Sequence, residues 1–294
     1  MTKKAWQFVL LTFLFSWTPV FLFKALGGKW NTTGAFIAVS IYMFTPALAA
    51  ILVQRVFYKE KIREFDISFK LNRWFIIAWL FPAALALITA AFTLLLPGIR
   101  YSVETSRFLD IVKASVPAER FEQLSGMIAA SPHIIIWASL IQALIAGITV
   151  NAVFGFGEEL GWRGLLQKET IHMGFWKSSL LIGFIWGAWH APLILEGLNY
   201  PDHPAIGVFM MIAWCMLLAP IFSYVRLKAK SVIAAVVIHG SLNASAGIAI
   251  IMIKGGNDLT TGLTGLPGFI ILLMVNLFLA GYAKDPAREV PKNN

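Results

Sequence analysis

Apolar residues fall along the chain in runs of ~20, separated by short polar stretches, and this is the pattern of a chain that crosses a bilayer repeatedly. Eight such runs are read as spans, with approximate limits 6–26, 32–56, 74–98, 133–157, 178–196, 205–226, 231–252 and 265–283. At ~1.5 Å of rise per residue each is long enough for a hydrocarbon core of ~30 Å. Only helices suit these runs, because backbone exposed to lipid must satisfy its own hydrogen bonds. The expected fold is an all-α polytopic membrane protein of about eight transmembrane helices, forming a single integral membrane domain over 1–294. Helical pattern continues past residue 157, so the end of the fourth run is the least defined.

Composition agrees with that pattern. Of 294 residues, 58% are hydrophobic and 13% charged, where a soluble domain carries about 25% charged residues. Mean hydropathy is +0.74. The net charge of +9 resides in short loops between apolar runs, where Lys and Arg set topology. That distribution argues for the lipid bilayer and against nucleic acid as partner. The lone Cys215 lies in an apolar run and reads as a small residue of a membrane helix. The first run follows Lys3 and Lys4 and extends to about Leu26 with no clear small-x-small cleavage site, so it is read as a retained span rather than a signal peptide.

With the N-terminus placed in the cytoplasm, 17 of the 24 Lys and Arg residues fall on inside segments and seven on outside ones. The bias predicts an integral cell-membrane protein with both termini cytoplasmic and an even number of spans. The longest loop, 99–132, mixes Glu104, Arg107, Asp110, Lys113, Glu119, Arg120 and Glu122 with Phe108, Leu109, Ile111, Val112 and Phe121. It reads either as an amphipathic helix or pair lying on the outer surface or as a solvated lid.

Ionisable groups within apolar runs are costly and mark function. Glu158 and Glu159 follow the fourth run in Gly155-Phe156-Gly157-Glu158-Glu159-Leu160-Gly161-Trp162-Arg163-Gly164. Glu159 and Arg163 are four apart and can pair on one helix face. This leaves Glu158 about 100° around the helix without that partner, in an environment where a carboxylate can act as general base or acid. The bland alternative is a charged helix end at the membrane surface. His190 lies in Trp186-Gly187-Ala188-Trp189-His190-Ala191-Pro192, roughly 18 Å into the fifth run, with Trp186 one turn earlier on the same face. It can be a general base, a metal ligand, or a hydrogen-bonded structural group. His239 and Asn243 are four apart in the seventh run, on one face. They can donate to an oxyanion, bind metal, or join helices as polar contacts. Taken together, these groups predict one intramembrane polar cavity. Glu158 falls nearer the inner surface than His190, so a cavity open to the cytoplasm and a bent or re-entrant helix after Gly155 are expected.

Glu158-Glu159-x-x-x-Arg163, then His190, then His239-x-x-x-Asn243 resemble, in order, the three motifs of the CAAX-processing and bacteriocin-processing family of intramembrane proteases. The likeness covers about residues 150–250. Trp186 stands where the family's second motif has Phe. The resemblance implies peptide-bond hydrolysis in or near the membrane, on a membrane-associated peptide or protein; eukaryotic relatives trim the last three residues from prenylated proteins. It implies that Glu158 and His190 activate water, that His239 and Asn243 stabilise the oxyanion, and that Glu159 and Arg163 support the site. No cofactor is fixed by the sequence: Glu158, His190 and His239 could bind a divalent metal such as zinc or act on water alone. Two other functions fit the pattern, a non-catalytic bacteriocin-immunity or membrane-scaffold protein and a small-molecule transporter. Against transport, the halves show no repeated broken-helix pattern.

Overall fold

The computed structural model describes residues 1–28, 32–102, 113 and 117–282. Four of its helices begin where a polar side chain caps an apolar run. Helix α1 (Lys3–Ala25) starts at Thr2, which accepts from the N–H of Ala5. Helix α2 (Thr33–Leu52) starts at Thr32, and α3 (Arg73–Thr93) at Asn72, which accepts from Trp74. These caps satisfy donors that lack a partner within the helix.

A short strand β1 (Arg100–Tyr101) leads toward α4 (Ala118–Ala130), α5 (Pro132–Ile148) and α6 (Val150–Glu159). A π-helical stretch, Leu160–Leu166, and the single turn α7 (Gln167–Thr170) continue α6. Helix α8 (Phe175–Trp189) is followed by α9 (Ala191–Leu195), α10 (Pro204–Ala229) and α11 (Val232–Ser245), the last capped by Ser231. Strand β2 (Ile253–Lys254) pairs antiparallel with β1, and α12 (Leu266–Tyr282) completes the described chain.

Among the described residues, five helices are long and apolar enough to cross a membrane, and six if the bent pair Ile134–Ile148 and Val150–Met173 forms one span. The fold is thus all-α and polytopic, with the expected count of eight not confirmed. The fifth and eighth expected spans correspond to helices of 15 and 17 residues, α8 and α12. Large apolar side chains such as Leu14, Ile41, Ile145, Phe209 and Phe278 remain exposed on the outer faces, as a lipid-facing surface requires.

The bend falls elsewhere than expected. It lies at Thr149, where α5 and α6 meet at 46°, and not after Gly155, which is inside α6. Gly155 serves packing instead: an added Cβ would sit 3.3 Å from the carbonyl of Val236 on α11. Gly157 is tighter still, with a Cβ 2.6 Å from the carbonyl of Met43. Small residues let helix backbones approach in this way, and α6 is thereby held between α2 and α11.

Charged residues gather at one end of the bundle. Lys4 pairs with Glu60 and Glu169, Lys168 with Glu64, and Arg226 with Asp66. All of these belong to segments that the charge bias assigns to the inside. The opposite end holds the Lys24–Glu196 pair, the β1–β2 ladder and the contact of Asp258 with the backbone of Asp202. Part of the expected amphipathic loop, residues 103–112 and 114–116, lies outside the described residues, as do Lys284, Arg288 and Lys292. In the remainder, α4 exposes Glu119, Arg120 and Glu122 while Phe121 and Leu124 are half-buried.

Candidate active site

Helices α6, α8 and α11 deliver the ionisable residues to one cavity. Glu158, His190, His239 and Asn243 all line it, together with Tyr42 and Met43 of α2 and Met211 and Trp214 of α10. Its volume is about 570 Å³.

Close backbone contact sets the position of α8. A Cβ on Gly187 would sit 2.4 Å from the Cα of Ile212 on α10, so only glycine permits this approach. Pro192 has no N–H to continue the helix, and α8 ends at Trp189. The N–H of Leu193 bonds to the carbonyl of His190, which leaves the carbonyl of Trp189 free. The hydroxyl of Tyr42 and the indole N–H of Trp17 (3.1 Å) donate to it. Two other helices therefore stabilise the break that exposes His190.

Hydrogen bonding orients the two imidazoles. Nδ1 of His190 lies 2.8 Å from the carbonyl of Trp186. A carbonyl only accepts, so Nδ1 carries the proton in this contact and Nε2 is left as an acceptor. Nδ1 of His239 lies 2.7 Å from Oε1 of Glu159, and Nε2 lies 3.8 Å from Oε1 of Glu158. The His239 ring thus stands between the two carboxylates.

Glu159 and Arg163 pair as their spacing predicts. Nη1 of Arg163 lies 2.9 and 3.0 Å from the two carboxylate oxygens, with both side chains wholly buried. The guanidinium also packs over the rings of Trp186 and Phe222, 4.8 and 4.9 Å from their centroids. These residues lie behind the cavity wall and do not line it.

Glu158 has partners that the sequence did not suggest. Trp186 donates its indole N–H to Oε2 at 2.8 Å, and Trp162 approaches the same oxygen at 3.4 Å. Trp162 is one helical turn from Glu158, so the four-residue rule that pairs Glu159 with Arg163 could have found it. No local pattern points to Trp186 or to Tyr42, which come from α8 and α2.

The cavity reaches the loops at one end of the bundle. Gly197, Leu198, Asn199, Pro201, Asp258 and Thr261 border the cavity, at the end opposite the Lys4, Lys168 and Arg226 ion pairs. Among the described residues, no group of three or more His, Cys, Asp or Glu side chains is arranged to hold a metal ion. Glu158, His190 and His239 do not form such a group, and no step below is routed through a metal. Cys215 is buried and free.

Residues 132–245 match the family described as type II CAAX prenyl endopeptidase Rce1-like, a span that contains Glu158, Glu159, Arg163, His190, His239 and Asn243. No curated protein matches the chain. The family is one of intramembrane CAAX endopeptidases, which act on membrane-associated proteins in a lipid environment. By this match the chain carries, over residues 132–245, a domain of the type II CAAX prenyl endopeptidase Rce1-like family.

Proposed function

We propose that the protein is an intramembrane endopeptidase that hydrolyses a peptide bond of a membrane-associated protein or peptide with water activated by Glu158 and His190. One observation carries this reading: Glu158, His190, His239 and Asn243, from three different helices, line a single cavity. A scaffold has no need of four polar groups converging on a void inside a membrane, where each is costly.

In this mechanism a water beside Glu158 attacks the substrate carbonyl and its proton passes to the carboxylate. Nε2 of His190 accepts a hydrogen bond from the same water, because its Nδ1–H is engaged by Trp186. The new oxyanion receives hydrogen bonds from the Asn243 amide and from Nε2–H of His239, which acts here as an imidazolium with its Nδ1–H held by the Glu159 carboxylate. A donor in this role contributes ~10²–10³ in rate. The proton on Glu158 then passes to the leaving nitrogen, the C–N bond breaks, and a carboxylic acid and an amine are released. Arg163 balances Glu159 and keeps it in place.

The charge bias of the loops assigns the end bearing Lys4 to the cytoplasm. Helix α12 runs back to that end, where Leu279 packs with Phe175 and Tyr224. On this assignment the cavity opens toward the outer face.

Mass spectrometry of peptide termini tests the proposal, in membranes containing wild type or Glu158→Gln at equal abundance. Termini present only with wild type, and lost also with His190→Ala, are expected. Identical termini in all three membranes reject the endopeptidase reading.

A further inference from the structure

The bend at Thr149 leaves a gap in the wall of the bundle. Helix α5 packs on both α3 and α11, and the indole N–H of Trp79 on α3 donates to the carbonyl of Leu144 at 2.8 Å. One turn later α5 ends at Ile148 and the chain turns away by 46°. Below that turn a groove of about 570 Å³ lies between α3 and α11. Phe75 and Ile76 of α3, Ile233 and Val237 of α11, and Phe69 and Leu71 of the segment before α3 line it, with Ile148 and Trp79 at the end nearest the bend.

This groove offers an apolar guest space and a polar guest nothing. Asn72 also lines it, but its amide is occupied: Nδ2 donates to the carbonyl of Ala229 at 3.1 Å, and Oδ1 accepts from the N–H of Trp74 at 3.0 Å.

The far end of the groove is basic. The bond from Asn72 to Ala229, the bond from the Ser231 hydroxyl to the carbonyl of Ser68, and the bond from the N–H of Val232 to the carbonyl of Asp66 tie the segment before α3 to the start of α11. Lys70, Arg73 and Lys230 therefore share one rim. All three are exposed, and among the described residues none of them forms an ion pair. Arg73 packs over the ring of Trp74, 5.5 Å from its centroid. Asp66, the acid of this stretch, is taken by Arg226 at 2.6 Å. Helices α3 and α11 both begin here, and their N-termini add partial positive charge.

An apolar groove that ends in unpaired cations matches one kind of molecule, an anionic phospholipid. Its chain would lie along Ile76, Ile233 and Val237 toward Ile148, and its phosphate would meet Lys70, Arg73 and Lys230. Lipid tails are as apolar as the groove, so the chain gains little over bulk lipid and the headgroup decides which lipid stays. Basic pockets between transmembrane helices recognise anionic headgroups in this way. We propose that the groove between α3 and α11 is a binding site for an anionic phospholipid, at the end of the bundle that the charge bias assigns to the cytoplasm. The site is separate from the cavity that holds Glu158 and does not depend on the endopeptidase reading.

Native mass spectrometry of the full-length protein in detergent micelles tests this, with phosphatidylglycerol and phosphatidylcholine carrying the same acyl chains. One phosphatidylglycerol should bind at least about fivefold more tightly than phosphatidylcholine, the effect of a single basic residue near a charged lipid surface. Lys70→Gln with Lys230→Gln should abolish the preference. Lys3→Gln with Lys59→Gln removes the same charge from exposed positions at the α1 side of this end and should leave the preference intact. Ile76→Trp, which fills the groove from an exposed position, should weaken phosphatidylglycerol binding. Excess glycerol phosphate, which has the headgroup charge without the chains, should not displace the lipid.

Equal binding of the two lipids to wild type overturns the proposal without recourse to any variant. A preference that survives loss of Lys70 and Lys230, or that falls equally with Lys3 and Lys59, shows attraction by the net charge of this end and overturns the site. Unchanged binding to Ile76→Trp, or displacement by glycerol phosphate, overturns the role of the groove.

Discussion

Trp186 binds Glu158 through its indole N–H, at 2.8 Å, and binds His190 through its backbone carbonyl, also at 2.8 Å. One residue on α8 thereby fixes the carboxylate of α6 and the tautomer of the imidazole one turn along its own helix. In the family's second motif this position is Phe, which keeps the ring but lacks the donor. A hydrogen bond to a charged group is worth ~1.5–3 kcal/mol.

Trp186→Phe should therefore slow the formation of Glu158-dependent termini about tenfold, the lower end of that range. Trp162→Phe should have a smaller effect, since its contact is longer, at 3.4 Å. The relative rates of the two variants in membranes of equal protein content provide the check. A larger loss with Trp162→Phe would contradict the assignment of Trp186 as the main donor.

Arg163→Met leaves Glu159 buried without its cation. Breaking a buried pair in this way costs ~3–5 kcal/mol. Thermal unfolding in detergent should show a marked loss of stability, partly recovered when Glu159→Gln is added, because the uncompensated charge is then gone. A single variant as stable as wild type would show that the pair does not support the site.

Gly187→Val should be destabilising by ~1–3 kcal/mol, the usual effect of overpacking, because its side chain would meet the backbone of Ile212. Separation of α8 from α10 would also move Trp186 and His190, so activity should fall with stability. Gly126→Ala in α4 is the control. Nothing lies within 4 Å of its added Cβ, and helix propensity favours alanine.

Burial acts to raise the carboxyl of Asp258, but hydrogen bonds from His203 and from the backbone N–H of Asp202 outweigh it and hold the carboxyl below its usual value, so this contact should respond to acid in a defined direction. A carboxyl held below its unfolded value stabilises the folded arrangement above that value and loses the contribution as pH falls through the folded one. With the ordinary value at 3.8, the bonds from the N–H groups of Asp202 and His203 to Asp258 should hold from neutral pH down to about pH 4 and be lost as pH falls further, through the lower folded value. Amide exchange at Asp202 and His203, corrected for the intrinsic rate, should keep its protection until that range. Loss of protection between about pH 5 and 7 would refute Asp258 as the titrating group.

Much of the site follows from chain-local geometry. The apolar runs give spans because lipid leaves a helix as the only way to satisfy the backbone. The four-residue spacings put Glu159 on Arg163 and bring Trp186 to His190, and they place His239 and Asn243 on one face. Each of these contacts depends on neighbours within one helical turn.

Packing between helices decided the rest. The helix bends at Thr149, and Gly155, which the sequence made a candidate hinge, is held straight against Val236. The break at His190 persists because Tyr42 and Trp17, distant in sequence, satisfy the carbonyl of Trp189. Glu158 gains a donor from Trp186, 28 residues away. The cavity opens away from the basic end because the loops around Asn199 and Asp258 border it. Local periodicity determines which side chains share a helix face; it carries no record of which faces meet, and here contacts between distant helices settled that.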